Sequence, residues 1–228
     1  MKDPRIKPMT NIQKISMLVQ IFLLFLISTV AVYSFIIQEY INVLMCIFIV
    51  VLMAFPVFLS KWFKFVLTAE INLIVVLFVF AAMFLGEIFD FYEMIWWWDI
   101  FLHSLSGVLI GYFGYSLVYL MNQSTNVELS LSPLFISVFA FAFSMMIAVT
   151  WEIIEFSVDS IFGLNMQKSG LVDTMWDFIV CFIGSLVPPV LGFIEAKRKK
   201  KNFLQRIFNK FIAANLRKYR KKRTELDN

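Results

Sequence analysis

Nine acidic side chains and the only histidine of the chain fall near the ends of predicted membrane helices. They are Glu87, Asp90, Glu93, Asp99, His103, Glu152, Glu155, Asp159, Asp173 and Asp177. A charged side chain at the centre of a bilayer costs about 3 kcal/mol on insertion scales, so such residues are retained mainly where they serve a function. The pattern therefore predicts a polar site and says much less about its reaction.

Seven of these residues recur at helical spacing on three predicted helices. They are Asp99 with His103, Glu152 with Glu155 and Asp159, and Asp173 with Asp177. Residues three, four or seven apart share one helix face. Because lipid exposure of these faces would be costly, we expect them to meet inside a bundle at one membrane depth. The connecting residues Gln167 and Lys168 could close over the same pocket.

Three chemistries suit this set of groups. Carboxylates with one imidazole can hold a divalent cation, and the predicted ligands are Asp99, His103, Glu152, Asp159, Asp173 and Asp177. The same groups can act in general acid–base catalysis, for which the predicted residues are His103, Glu152, Glu155 and Asp177. A proton or cation path is the third chemistry, although Glu70 is the only clear acid in the inner half of the spans.

Simpler structural roles compete with these interpretations. Asp99 and Asp173 stand near helix starts, where a carboxylate can cap free amides and meet the positive end of the helix dipole. Glu87, Asp90 and Glu93 fit a solvated loop. The remaining acids and His103 could form a hydrogen-bonded network that only stabilises the bundle.

The composition predicts that a membrane domain positions these residues. Of the 228 residues, 61% are hydrophobic, whereas soluble domains average about half. Apolar runs of about 20 residues, the length that crosses a bilayer, occur at 15–37, 40–59, 65–86, 99–121, 133–156 and 173–194. Their continuous character predicts an all-α, polytopic membrane bundle of about six transmembrane helices. The first run is too long for a signal-peptide core and predicts a retained membrane helix.

The basic residues predict an orientation and a separate tail. With both termini in the cytoplasm, only Lys168 of the 20 Lys and Arg lies outside, as the positive-inside rule requires. We expect a transmembrane domain at 1–194 and a basic amphipathic cytoplasmic tail at 195–228, which holds 13 of these bases. The tail predicts contact with anionic inner-leaflet lipids rather than with nucleic acid. Cys46 and Cys181 lie in apolar spans and predict no disulfide.

The motifs resemble those of a known membrane family. Asp99-Ile-Phe-Leu-His103 with Ser106-Gly107, Trp151-Glu152-Ile-Ile-Glu155, and Asp173-x-x-x-Asp177 with Gly184 resemble YjdF-type bacterial inner-membrane proteins. The chain is more remotely similar to VanZ-like proteins, with Ile100, Glu155 and Asp177 where those sequences typically carry Lys, Gln and Asn. The resemblance covers roughly residues 85–190. It implies a multi-pass protein of a bacterial cell membrane and no established reaction.

Three functions remain open at this point. The leading hypothesis is an outward-facing acidic and histidine pocket that binds or processes an envelope or lipid-linked molecule with a divalent cation. The alternatives are a cation-coupled transporter or permeation protein, and a structural membrane protein with a buried polar network. Whether the protein is an enzyme is left open by the sequence. Clustering at one end of the spans favours the first hypothesis, because transporters more often bind near the midplane.

Overall fold

The computed structural model describes residues 9–122, 131–163, 165–198 and 203–226, and their regular elements are helices. In chain order these are α1 (Asn11–Ile36), α2 (Tyr40–Trp62), α3 (Ala69–Val79), a π-helix (Phe80–Ile88), α4 (Phe91–Met94), α5 (Trp98–Asn122), α6 (Pro133–Phe162), α7 (Leu171–Arg198) and α8 (Phe203–Leu226). Within these residues, six helical segments are long and apolar enough to cross a membrane. The predicted all-α, six-span fold is confirmed, and the protein is a multi-pass membrane protein.

The chain divides into two compact units, Met1–Met94 and Ile95–Asn228. In the first unit α1, α2 and α3 pack on one another. The capping box of Thr10 and Gln13 begins α1, because each side chain bonds the backbone amide of the other residue. The predicted third span proves to be α3 followed directly by the π-helix, a change of winding that hydrophobic spacing does not reveal.

In the second unit α5 packs against α6, α7 and α8, and α6 packs against α7. Small residues let α5 and α7 approach closely. A Cβ on Gly184 of α7 would collide with the carbonyl oxygen of Ser104, and one on Gly107 of α5 would lie 2.5 Å from that of Cys181. A Cβ on Gly111 would lie 2.9 Å from Cγ of Pro188. Small residues at such positions allow close helix packing in membrane bundles.

Buried hydrogen bonds between side chains and backbone join α5, α6 and α7. Ser185 Oγ of α7 donates to Ser144 Oγ of α6 at 2.8 Å, and Ser144 Oγ donates to the carbonyl of Gly107 in α5 at 3.0 Å. Both serines are fully buried. Such contacts fix the relative register of helices in an apolar bundle.

The tail helix α8 packs on α5. Phe208 stacks on Tyr112 with ring centroids 5.1 Å apart, and Phe211 lies 6.2 Å from Phe113. Ile207 and Ile212 are buried with them. The sequence predicts lipid contact for this apolar face, whereas the structure covers it with protein. The exposed side of α8 carries Arg206, Lys210, Arg217 and Lys218.

Candidate functional site

The candidate site lies in the second unit, where three helix segments meet. Asp99 and His103 occupy the first two turns of α5, and Asp177 lies in the second turn of α7. Glu152 and Glu155 lie in the last third of α6. The glycine contacts between α5 and α7 bring these segments close enough for their polar side chains to meet.

His103 lies at the centre of the group, close to three carboxylates. Its Nε2 is 3.4 Å from Oδ1 of Asp99 and 3.8 Å from Oδ1 of Asp177. Its Nδ1 is 4.0 Å from Oε1 of Glu152. The side chains of Glu152 and Asp177 are 5% and 4% exposed, against 22% for Asp99. Asp99, at the start of α5, is therefore the most exposed of these three carboxylates, and Glu152 and Asp177 are buried more deeply.

The distance from Nε2 to Asp99 matches that between two ligands of one ion, and the distance to Asp177 is somewhat longer. Direct hydrogen bonds in proteins are about 2.7–3.2 Å long, shorter than these contacts. Two ligand atoms about 2.1 Å from one ion at a near-tetrahedral angle lie about 3.4 Å apart. Asp99, His103 and Asp177 each offer one ligand atom, and these atoms lie within 4.8 Å of one another. We name these three residues the metal-binding triad after the divalent cation that they could hold with one nitrogen and two oxygen ligands.

Glu152 approaches the opposite ring nitrogen. Its other oxygen, Oε2, is buried and accepts no hydrogen bond within the described part of the chain. An unused buried carboxylate oxygen is costly, because the charge loses hydration without gaining a donor. Glu152 is also close to Gln167 and Thr174, so the connection between α6 and α7 lies beside it.

Further carboxylates surround the metal-binding triad. Glu155 is buried one turn beyond Glu152, and Asp173 lies in the first turn of α7. Asp177 interacts electrostatically with Asp99, Glu152, Asp173 and Glu155. Lys168 interacts with Asp99. With so many acids near one imidazole, a bound cation or proton must balance the charge.

Asp159 bonds the loop that follows α6, and its role as a metal ligand stays a prediction. Its Oδ1 accepts the amide of Met166 at 2.7 Å, and its Oδ2 accepts that of Gln167 at 2.9 Å. Gln167 Nε2 in turn donates to Thr174 Oγ1 at 2.9 Å. Among the residues that the structure describes, the metal-binding triad does not include Asp159. This carboxylate holds the loop that follows α6.

The acids before α5 belong to the first unit. Glu87 lies in the π-helix, and Glu93 lies in α4. Asp90 stands between them with a positive φ of 53°. Asp90 and Glu93 are exposed, as expected for a solvated connection.

The sequence interpretation missed the buried serines beside the site. Asp177, Cys181 and Ser185 repeat every four residues on α7, as do Ser144, Ala148 and Glu152 on α6. Residues four apart lie on one face of a helix. Extending the two acidic faces inward by this spacing would have found Ser144 and Ser185.

Comparisons with known proteins agree with the membrane fold and give no activity. The model of a family described as a predicted membrane protein matches residues 18–198. A relative from Thermotoga maritima, described only as an uncharacterized protein, is 33% identical over 106 residues, which cover 46% of this chain. The matched part spans 53% of that relative's length. No solved structure matches the chain.

Proposed function

The chain belongs to the DUF2238 family of predicted membrane proteins, and we propose that its second unit is a divalent-cation site serving an envelope or lipid-linked molecule. Asp99, His103 and Asp177 would hold the ion. The observation that carries this proposal is the spacing of 3.4 and 3.8 Å between Nε2 of His103 and the two aspartate oxygens. One nitrogen and two oxygen ligands suit zinc or manganese and leave coordination positions for a further ligand.

The surroundings support a ligand that contacts both water and lipid. The site lies near the start of α5, the end of α6 and the start of α7, and residues 163–170 connect α6 to α7. Large apolar side chains on both sides of that connection are exposed, namely Ile161, Phe162, Leu171, Val172 and Trp176. A polar group of a lipid-linked molecule could reach the ion while its chain stays in the bilayer. The YjdF-type resemblance fits an envelope role and remains a prediction.

The remaining polar groups would serve the bound molecule. A divalent cation can polarise a carbonyl or phosphoryl oxygen or activate a water molecule. Glu155 is buried beside Glu152 and is our candidate for proton transfer if the molecule is processed rather than only bound. Asp173 and Lys168 would lie at the opening, where Lys168 can meet an anionic group.

Metal binding to the purified protein tests the proposal. After chelation, Zn²⁺, Mn²⁺, Mg²⁺ and Ca²⁺ are added separately, and the melting temperature and the bound metal are measured. We expect at least one ion to bind near one equivalent and to raise the melting temperature, as any ligand selective for the folded state does. His103→Ala should abolish both effects, while Asp90→Asn, which removes an exposed carboxylate outside the triad, should keep them. No binding by any of the four ions would refute the proposal.

Cysteine labelling tests the proposed outward opening. Both native cysteines are buried, so single exposed cysteines can be read against a low background. Ser169→Cys, in the connection between α6 and α7, should react with an impermeant reagent from outside the cell. Arg217→Cys, on the exposed side of α8, should react only after the membrane is opened. Labelling of both from one side would exclude the proposed topology.

Two alternatives predict different results in these experiments. A cation-coupled transporter would move the bound ion across vesicles, and that flux should vanish in Asp177→Asn. A structural network would bind no ion and lose only stability when a member is removed. The proposed site predicts ion binding without flux.

We also propose that α8 binds anionic lipid through its basic side. Its apolar side is covered by α5, so attraction to phosphate headgroups, rather than insertion of apolar side chains, would provide the contact. Arg206 and Arg217 are exposed on this side.

A further inference from the structure

We propose that Glu152 positions His103, so that Nδ1–H points to Glu152 and Nε2 faces Asp99 and Asp177. Glu152 is then a positioning residue and not a metal ligand, which revises the ligand set expected from the sequence. This inference rests on the proposed function, because it assigns separate roles to members of the same group of side chains.

The two ring nitrogens have different neighbours. Nε2 has two aspartate oxygens within 3.8 Å, whereas Nδ1 has Oε1 of Glu152 at 4.0 Å. A neutral imidazole carries a proton on one nitrogen and a lone pair on the other. A carboxylate that accepts the Nδ1 proton leaves the Nε2 lone pair for an ion. Such carboxylate–histidine pairs fix the ring and strengthen the ligand.

Glu152 combines a buried carboxylate, whose Oε1 faces Nδ1 at 4.0 Å, with the rigid support that this role requires. The residue is 4% exposed, and its Oε2 has no hydrogen-bond donor among the described residues. Ser144, two turns earlier on α6, donates to the carbonyl of Gly107, one turn after His103 on α5. This bond fixes the register of α6 against α5 and hence the height of Glu152 beside the ring.

Glu155 provides a matched comparison. It lies on the same helix and is 8% exposed, close to the 4% of Glu152. Replacing either by Gln removes one buried carboxyl group from α6. Of these two glutamates, Glu152 lies against a nitrogen of His103, so its replacement rather than that of Glu155 should alter the protonation of the ring.

Nitrogen NMR of the imidazole tests the role directly. The chain has a single histidine, so ¹⁵N-labelled imidazole gives signals from His103 alone. In wild type and in Glu155→Gln, we expect Nδ1 to carry a proton with and without Zn²⁺, and Nε2 to bind the ion. In Glu152→Ala the Nδ1 proton should become shared between the two nitrogens or be lost. Metal bound at Nδ1 in the wild type would overturn the proposal.

Metal affinity separates this role from a merely structural one. Loss of a carboxylate that orients a ligating histidine typically weakens metal binding 10–100-fold. We expect about that loss in Glu152→Ala and a smaller one in Glu152→Gln, whose amide oxygen can still accept a hydrogen bond from Nδ1–H. Equal losses in Glu152→Gln and Glu155→Gln would show a general charge effect and overturn the proposal. If wild type binds no metal, the proposed function fails, and the metal-free spectra still decide whether Glu152 holds the Nδ1 proton.

Discussion

The two units are built from similar apolar helices and differ in what they bury. Nine polar or charged residues are buried in the described parts of the chain, and seven of them belong to the second unit. Of these described residues, the first unit contributes only Ser16 and Ser34. The three acids that are buried in the described parts, Glu152, Glu155 and Asp177, lie in the second unit. Acidity alone therefore does not mark the site, because the first unit keeps Asp90 and Glu93 exposed.

The described glycines of the two units differ in what they approach, since Gly107 and Gly184 beside the buried acids meet backbone atoms. Gly184 approaches the backbone of Ser104, while Gly86 in the first unit approaches the ring of Tyr92. A backbone cannot move aside as a side chain can, so the α5–α7 contact is rigid. Rigid support is what a preorganised polar site requires.

The largest expected effect compares these two glycines. Gly184→Ala should destabilise the protein by about 3 kcal/mol, because overpacking a tight contact forces the backbone apart. Gly86→Ala should cost less than about 1 kcal/mol, since the Tyr92 ring can turn and alanine favours helix. Unfolding of both variants in detergent measures the difference. Equal losses would show that the α5–α7 contact is no more rigid than the first unit.

The next effect concerns the buried charge itself. Without metal, Asp177→Asn should be more stable than wild type, because one carboxylate is removed from a repelling group. With metal at about 100 times its dissociation constant, the free energy of unfolding of the wild type should rise by about 2.7 kcal/mol. That of the variant should hardly change. Melting curves with and without the ion should show that the order of stability of wild type and Asp177→Asn reverses. Asp90→Asn in the first unit should show no such reversal, and a reversal there would contradict the assignment of the site.

Much of the fold could be predicted from the sequence, because the long apolar runs indicate the six spans. The four-residue spacing of Asp99 and His103 also predicted their shared face, and the structure brings both to Asp177. The sequence could not show which ring nitrogen faces which carboxylate, because that depends on the approach of α6. Nor could it distinguish Asp159 from Glu152, since both share the helical phase and only the loop fold gives Asp159 its amide partners.

A smaller effect is expected at Asp159. Asp159→Asn keeps one acceptor oxygen and loses the other, so it should cost about 1.5 kcal/mol, the value of a hydrogen bond to a charged group. Metal affinity should stay near that of wild type. Calorimetric titration of the variant with Zn²⁺ checks this. A loss of metal binding as large as in His103→Ala would return Asp159 to the ligand set.

The smallest effect compares one base from each unit. Arg217 lies on the exposed side of α8, and Lys61 lies in the last turn of α2. A base in a cluster near an anionic surface contributes about five-fold to binding. We therefore expect Arg217→Gln to weaken binding of the purified protein to phosphatidylglycerol about five-fold. Lys61→Gln should have less effect, because fewer bases surround it. High salt should reduce the wild-type affinity through screening. Equal effects of the two substitutions, or binding that ignores salt, would leave α8 with no special role in lipid contact.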